Sequence, residues 1–252
     1  EPQIKLREQM SAEYGIDLRS KSDAQIAEAV IRQQVEKSMG RKLEKKDPFR
    51  QAGETFKYVA PYFINMAPLN IGHNGRGLLT SVIQAVIDAT FTIAGNGTVK
   101  MPKEITDLKV RIGESVYQMG IGGLHSTEKS VAHIADDDHV LIDRDVASYY
   151  PAIILNCGLK PAHMGDHFTK VYRGIVQRRL AAKRAGDKVT ADSLKITING
   201  SFGKFGSPYS ALYSPTLLIQ TTVTGQLSLL MLIEMLESEG IPMAPSRTAK
   251  LM

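Results

Sequence analysis

A helical hairpin between residues 166 and 203 is the feature that most limits how this chain can fold. Asp166 can cap a first helix, which we expect to run to Ala185, with Gly186 just after its end. A second helix is expected to start near Thr190 and to carry the segment ADSLKITINGSF. The hairpin is predicted to be an insertion between segments that form a sheet.

The chain on either side of the hairpin predicts that sheet and further helices. Apolar and polar residues alternate as in strands over 115–126, 130–135 and 139–146, with a turn at 136–138. Helices are expected from a capping box at Ser22 to Gly40, around 78–89, and from Ser214-Pro215 to Gly240. The predicted fold class is α+β, an antiparallel sheet with a helical-hairpin insertion and flanking helices.

Cysteine content and hydropathy exclude several protein classes. The single cysteine, Cys157, rules out a disulfide framework and a cysteine-based zinc cluster, and it suits a reducing compartment. The most apolar stretch, 215–236, is interrupted by glutamines, threonines and a glutamate, so we expect no membrane span and no membrane partner. No signal peptide is recognised. We expect a soluble protein of the cytoplasm, which for a viral protein is the host cytoplasm.

Positive charge is concentrated in the predicted hairpin. The net charge of the whole chain is +5. Residues 170–204 hold nine lysines and arginines against two aspartates, so this stretch is +7 and the remainder about −2. Such a stretch indicates a polyanionic partner, although a solvated helix face gives the same pattern.

Two carboxylates at the end of the last predicted strand are candidates for metal binding. Asp143 and Asp145 are two residues apart, so on a strand they share one face. A carboxylate at such a position can hold a hard cation such as Mg²⁺. Ser148, Tyr149 and Tyr150 follow directly. Turn capping by the aspartates and core packing by the tyrosines are the structural alternatives.

The second predicted helix carries a stripe of chemically useful side chains. Lys195, Asn199 and Phe202 are spaced i, i+4 and i+7, so they lie on one face. A lysine there can bind a phosphate, Phe202 can stack on a base, and Gly203 permits close approach. Arg179 and Lys183 have the same i, i+4 spacing on the first helix. Ordinary surface lysines on amphipathic helices are the structural alternative.

Taken together, these segments resemble the family B (α-type) DNA polymerases, in particular their compact bacteriophage branch. Residues 145–154, Asp-Val-Ala-Ser-Tyr-Tyr-Pro-Ala-Ile-Ile, are similar to the family's first palm motif, Asp-x-x-Ser-Leu-Tyr-Pro-Ser-Ile-Ile. Residues 195–203 are similar to the fingers motif, Lys-x-x-x-Asn-Ser-x-Tyr-Gly. Gly122-Gly123 resembles the glycine pair that the family places before the palm. The resemblance covers roughly residues 113–243.

The resemblance implies template-directed DNA synthesis on primer-template DNA with deoxynucleoside triphosphates. A primer 3′-hydroxyl would attack the α-phosphate and release pyrophosphate, with two Mg²⁺ ions, or Mn²⁺, as cofactors. The implied catalytic residues are Asp145 and Lys195. The implied metal ligands are Asp145 and the Val146 carbonyl. The implied nucleotide-binding residues are Ser148, Tyr149, Tyr150, Arg179, Lys183, Lys195 and Asn199. The implied DNA-binding residues are Gly122, Gly123, Phe202, Gly203 and Lys204.

The resemblance also implies a domain organisation in four consecutive segments. Residues 1–112 would be an N-terminal connector or pre-palm region, and residues 113–160 the first part of the palm. Residues 161–206 would be the fingers, and residues 207–252 the second part of the palm.

The sequence departs from the family pattern in several places. Tyr149, Ala152, Gly200 and Phe202 replace leucine, serine, serine and tyrosine, and neither exonuclease pattern, Asp-x-Glu or Tyr-x-x-x-Asp, occurs. The third palm motif, with Asp-Thr-Asp or Thr-Asp-Gly, should follow residue 241, but no aspartate follows Asp192. We therefore expect that a second polypeptide supplies this motif and the thumb, and that this chain alone extends no primer.

A non-catalytic nucleic-acid-binding fragment or subunit is the alternative interpretation. It would use the same basic hairpin for phosphate contacts without chemistry. A phosphate-binding globular protein with chance motif matches is a third interpretation.

Overall fold

The structure is a computed structural model that describes residues 2–44, 50–65, 78–127, 134–138, 140–144, 146 and 148–243. These residues form helices and short antiparallel strands, which confirms the α+β class. The helices are α1 (Pro2–Tyr14), α2 (Asp23–Met39), α3 (Tyr62–Asn65), α4 (Leu78–Asp88), α5 (Lys103–Thr106), α6 (Tyr149–Asn156), α7 (Gly165–Arg184), α8 (Lys188–Phe205) and α9 (Pro215–Ser238). The strands are β1 (Thr55–Lys57), β2 (Thr90–Ile93), β3 (Val99–Lys100), β4 (Val110–Ile112), β5 (Ser115–Gly120) and β6 (Gly123–Ser126).

The chain divides into two compact units, each assembled from separate stretches of sequence. The first, here the helical unit, comprises Glu1–Gly53, Ile93–Val99 and Ile154–Leu218. The second, here the mixed unit, comprises Glu54–Thr92, Lys100–Ile153 and Ile219–Met252. The four consecutive segments drawn from the sequence do not coincide with these units. In particular, α2 of the expected connector belongs to the same unit as α7 and α8 of the expected fingers.

Helix α2 forms where its capping pattern predicts. The Ser22 side chain accepts a hydrogen bond from the Gln25 backbone, and the Gln25 side chain accepts one from the Ser22 backbone, which completes the capping box. Gly40, with φ of 68°, ends the helix in the left-handed conformation. The apolar face of α2 packs against α7 and α8 through a core that includes Ile31, Val35, Phe168, Leu194, Ile198 and Phe205.

The predicted helical hairpin is confirmed, with one correction at its start. Gly186 follows the end of α7 with φ of 74°, and the Asp187 carboxylate accepts a hydrogen bond from the Thr190 backbone at 3.0 Å to begin α8. Asp166 does not cap α7, so that prediction is wrong. The helix begins at Gly165 without a side-chain cap. Asp166 thus lies inside the first turn, where its exposed carboxylate pairs with the Lys160 ammonium.

The strands form two three-stranded antiparallel sheets, ordered β1–β2–β3 and β4–β5–β6. The alternation over 115–126 corresponds to a hairpin of two strands in which Gly120 pairs with Gly123. The strands expected over 130–135 and 139–146 do not form at residues 134–135, 140–144 and 146, and the rest of those ranges lies outside the described residues. Val140, Leu141 and Ile142 are all exposed, so alternation in sequence is not matched there by alternation in burial.

Helix α9 is the one described helix that is long and apolar enough, by length and composition, to cross a membrane. Its most apolar window is 67% buried within the protein. Gln220, Thr221, Thr222, Thr224 and Gln226 are buried in it. The Thr224 hydroxyl, for example, lies 2.9 Å from the Tyr58 hydroxyl. These features are those of a core helix with buried hydrogen-bonding groups.

Candidate functional site

The residues singled out by sequence fall in both units. Arg179, Lys183, Lys195, Asn199, Phe202, Gly203 and Lys204 belong to the helical unit, on α7 and α8. Gly122, Gly123, Val146, Ser148, Tyr149 and Tyr150 belong to the mixed unit. Asp145, the implied catalytic and metal-binding aspartate, lies outside the described residues.

One face of α8 presents the predicted stripe. Lys195 and Asn199 are exposed and Phe202 is half-buried, while Leu194, Ile198 and Phe205 on the other side enter the core. The Phe202 ring meets the Phe205 ring edge to face, with ring centroids 6.2 Å apart. No atom lies within 4 Å of the position that a Cβ on Gly203 would take. The exposed part of this face thus carries an ammonium, an amide and open backbone, and the Phe202 ring borders it while packing partly against the core.

Two cations of the basic stretch are held by carboxylates of the N-terminal helices. The Lys204 ammonium lies 2.9 Å from the Glu28 carboxylate of α2, and both side chains are about four-fifths buried. The Arg178 guanidinium donates to Glu13 of α1 at 2.6 Å, and this hydrogen bond raises the pKa of Arg178. Lys204, an implied DNA-binding residue, is therefore engaged within the protein. Lys183 is exposed, and Arg179 is half-buried.

The tyrosine motif begins with an unusual backbone conformation. Ser148 has φ of 52° and is the one described non-glycine residue in the left-handed region. An L-residue there is strained by roughly 1–2 kcal/mol, and such strain is concentrated at functional turns. Helix α6 follows at once, with the Ala152 N–H donating to the Ser148 carbonyl oxygen at 2.9 Å. The turn therefore directs two tyrosines into the mixed unit.

Tyr149 and Tyr150 pack as a stacked pair, with ring centroids 6.2 Å apart and an interplanar angle of 20°. The Tyr149 hydroxyl donates to the Gly225 carbonyl oxygen of α9 at 2.8 Å. Tyr150 is only 9% exposed, and burial raises its pKa to about 12. Tyr150 therefore keeps a neutral phenol at ordinary pH, with little of its ring open to solvent.

Gly122 and Gly123 form part of the tight turn between β5 and β6. Ile121 and Gly122 are at its exposed tip, and Gly123 has φ of 147°. No atom lies within 4 Å of a Cβ built on Gly122. Gly123 is buried, so the turn offers bare backbone at the surface through Gly122, as a strand of nucleic acid would require for close approach.

Three further residues that hold these elements were missed by the sequence analysis: Glu28, Gly225 and Gln226. Gly200 was identified there as a departure from the fingers motif, but its packing role was missed. Glycine inside a helical pattern often marks close packing, so Gly200 and Gly225 could have been found from that cue. Glu28 and Gln226 had no such cue, since Glu28 pairs with Lys204, and Gln226 bonds to Gly120, across more than a hundred residues. Gln226 had been noted solely as an interruption in an apolar stretch.

The described residues do not gather a metal-binding group. Among them, no three His, Cys, Asp or Glu side chains are close enough together to hold an ion. Asp143 is exposed, and Val146 is 45% exposed. These two residues are described neighbours in sequence of Asp145, the implied carboxylate ligand.

Comparison with protein-family models, with curated proteins and with solved structures found no match to this chain.

Proposed function

We propose that this chain is a palm and fingers portion of a family B DNA polymerase of the bacteriophage type, acting in template-directed DNA synthesis. The observation that carries the proposal is the α8 face on which Lys195, Asn199 and the open Gly203 are exposed, with the half-buried Phe202 beside them. Lys195, Asn199 and Gly203 match the fingers motif in type and order, and all three are exposed. Phe202 stands where the motif has tyrosine, and its ring packs partly against the core.

In the proposed reaction the primer 3′-hydroxyl gives its proton to water and its oxygen attacks the α-phosphorus of a deoxynucleoside triphosphate. The bond from that phosphorus to the pyrophosphate oxygen breaks. Arg179, Lys183 and Lys195 would bind the β- and γ-phosphates, and Lys195 would give a proton to the departing pyrophosphate. Backbone N–H groups over 148–150 would receive the triphosphate. Asn199, Phe202 and Gly203 would line the new base pair.

The cofactor, partner and location are part of the same proposal. Two Mg²⁺ ions, or Mn²⁺, would supply electrostatic stabilisation of the phosphoryl group when bound, with Asp145 and the Val146 carbonyl as ligands from this chain. A second polypeptide with a Thr-Asp motif and a thumb would complete the site. The proposed location is the cytoplasm, or the host cytoplasm for a viral protein.

The test measures whether the chain recognises the next templated nucleotide. A primer ending in a 2′,3′-dideoxynucleotide is annealed to a template, and the dissociation rate of its complex with the chain is measured in Mg²⁺ with each deoxynucleoside triphosphate. We expect the complementary nucleotide alone to slow dissociation. Lys195→Ala should remove that effect, because it deletes the ammonium proposed to bind the triphosphate.

Lys37→Ala is the matched control, since Lys37 is an exposed lysine of α2 in the same unit. It should leave the nucleotide effect intact. A chain that binds DNA without response to any nucleotide would favour the alternative, a non-catalytic nucleic-acid-binding fragment. The +7 charge of residues 170–204 is the observation that supports that alternative. A chain that binds no DNA at all would exclude both.

A further inference from the structure

Two adjacent residues of α9, Gly225 and Gln226, contact two different elements of the proposed site. The Gly225 carbonyl oxygen accepts the hydrogen bond of Tyr149, the first residue of the tyrosine pair. The Gln226 side chain forms hydrogen bonds with Gly120, at the base of the tight turn that contains Gly122 and Gly123, here called the glycine turn. Both contacts lie within the mixed unit. One point on one helix therefore holds both elements.

Because Gly225 has no side chain, the rings of Tyr149 and Tyr150 can pack directly against α9. A Cβ on residue 225 would lie 3.3 Å from Cε1 of Tyr149, 3.3 Å from Cε1 of Tyr150 and 3.4 Å from Cδ1 of Ile153. Carbon atoms pack best at about 3.5–4.0 Å, so a methyl group here would push both rings by a few tenths of an ångström. The positions of the two rings thus depend on the missing side chain of Gly225.

Gln226 fixes the glycine turn through both of its amide atoms. Its Nε2 donates to the Gly120 carbonyl oxygen at 2.9 Å, and its Oε1 accepts from the Gly120 N–H at 3.0 Å. Gly120 pairs with Gly123 across the turn. Gln226 is fully buried and Gly120 is half-buried, so loss of the Gln226 amide would take a hydrogen-bond partner from two Gly120 backbone groups that solvent reaches only in part. The geometry of the turn therefore depends on Gln226.

We infer that Gly225 and Gln226 are positioning residues of the proposed polymerase site. Gly225 sets where Tyr149 and Tyr150 meet the nucleotide, and Gln226 sets where the exposed Gly122 of the turn meets the primer-template DNA. Helix α9 thereby fixes the position of the tyrosine pair, which faces the nucleotide, relative to the glycine turn, which faces the DNA. This inference rests on the proposed function.

The helix also provides a matched control at Gln220. With its amide oriented to satisfy both atoms, Gln220 donates to the Val59 carbonyl oxygen at 3.0 Å and accepts from the Val59 N–H at 2.8 Å. Gln220→Met and Gln226→Met therefore both remove one donated and one accepted hydrogen bond to a single backbone residue outside α9. Gln226→Met also removes a bond to the Thr222 carbonyl oxygen within the helix, at 3.2 Å. Only Gln226 holds the glycine turn.

The experiment uses the dideoxy-terminated primer-template and measures both DNA affinity and the slowing of dissociation by the complementary nucleotide. Gly225→Ala is expected to reduce the nucleotide effect about tenfold and to leave DNA affinity within about twofold. Gln226→Met is expected to lower DNA affinity about tenfold, the result of about 1.4 kcal/mol at the turn. Gln220→Met should lose thermal stability as Gln226→Met does, with both readouts unchanged.

If either substituted chain does not fold, Tyr149→Phe and Gln226→Asn replace them. Tyr149→Phe removes the bond to Gly225 without added volume, and Gln226→Asn is too short to reach both Gly120 atoms. The inference would be overturned if the Gln220 and Gln226 substitutions changed DNA affinity equally. It would also be overturned if substitutions at Gly225 or at Gln226 changed neither DNA affinity nor the nucleotide effect. Absence of any nucleotide effect in the unsubstituted chain would instead refute the proposed function, so the two failures are distinguishable.

Discussion

The backbone of Asp23 in α2 lies so close to Gly200 of α8 that a Cβ on residue 200 would be 2.6 Å from the Asp23 carbonyl oxygen. The same atom would be 3.1 Å from Cβ of Ala27. Both distances are below ordinary van der Waals contact, and a helix backbone cannot move aside cheaply. Gly200 is therefore the point at which α8 crosses the first turn of α2, and Glu28 then holds Lys204 further along α8.

Gly200→Ala is expected to destabilise the protein by about 1–3 kcal/mol, because the added methyl group forces α2 and α8 apart. Urea unfolding measures the loss. Gly174→Ala is the control, since no atom lies within 4 Å of a Cβ at this position in α7. That substitution should stabilise the helix by up to about 1 kcal/mol. Equal stability of Gly200→Ala and the unsubstituted chain would contradict the close crossing.

The elements that the sequence predicted well are those specified by neighbouring residues. Ser22 and Gln25 cap α2 across three positions, and Gly186 with Asp187 separates α7 from α8. The stripe of Lys195, Asn199 and Phe202 follows from helix periodicity alone. Local chemistry was sufficient for these features.

The elements that the sequence did not predict depend on distant partners. Residues 140–144 alternate as a strand should, yet a strand also requires a neighbour to pair with, and none pairs with them in the part of the chain that the structure describes. Neither the crossing at Gly200 nor the hold of Gln226 on Gly120 is visible without knowledge of which segments meet. The candidate site was therefore predicted as a set of residues but not as an arrangement.

Binding of duplex DNA is expected to depend strongly on salt and weakly on sequence. With about four or five phosphates contacted, log K against log salt should have a slope near −4, at ~0.9 per phosphate. Fluorescence anisotropy of a labelled duplex measures the slope. Lys183→Ala should reduce the magnitude of the slope by about 1, because the exposed ammonium is lost. Arg178→Ala should change it less, since Glu13 already holds that guanidinium. A flat salt dependence would remove the nucleic-acid interpretation.

Stability should fall in alkaline solution through the buried phenol of Tyr150. Burial, with a smaller contribution from Tyr149, raises the pKa of Tyr150 to about 12, whereas an unfolded tyrosine ionises near ~10. Below pH ~10 the phenol is neutral in both states, so its contribution is fully present. Between pH ~10 and ~12 the unfolded state loses its proton first, so the free energy of unfolding should fall by roughly 1.4 kcal/mol per pH unit.

Tyr150→Phe should make that alkaline decline shallower, as measured by urea unfolding at successive pH values. Tyr62→Phe is the control, because Tyr62 is 77% exposed. It should leave the slope of stability against pH unchanged. Parallel declines in all three proteins would show that Tyr150 does not contribute.

Sugar selection is the most specific consequence of the proposed function for Tyr150. Its ring is proposed to occupy the space that a 2′-hydroxyl would need, so discrimination arises from a clash with the ribonucleotide. Tyr150→Ala removes the ring and should reduce the preference for the complementary deoxynucleotide over the ribonucleotide by about tenfold or more. Tyr150→Phe retains the ring and should retain the preference. The dissociation rate of the dideoxy-terminated complex with each nucleotide measures both.

Because Tyr150 is buried, the alanine substitution also costs about 3–5 kcal/mol of stability, so the comparison is made well below its unfolding temperature. If Tyr150→Ala weakens both nucleotides equally, the ring supports the core without facing the sugar, and Tyr150 has no part in selection.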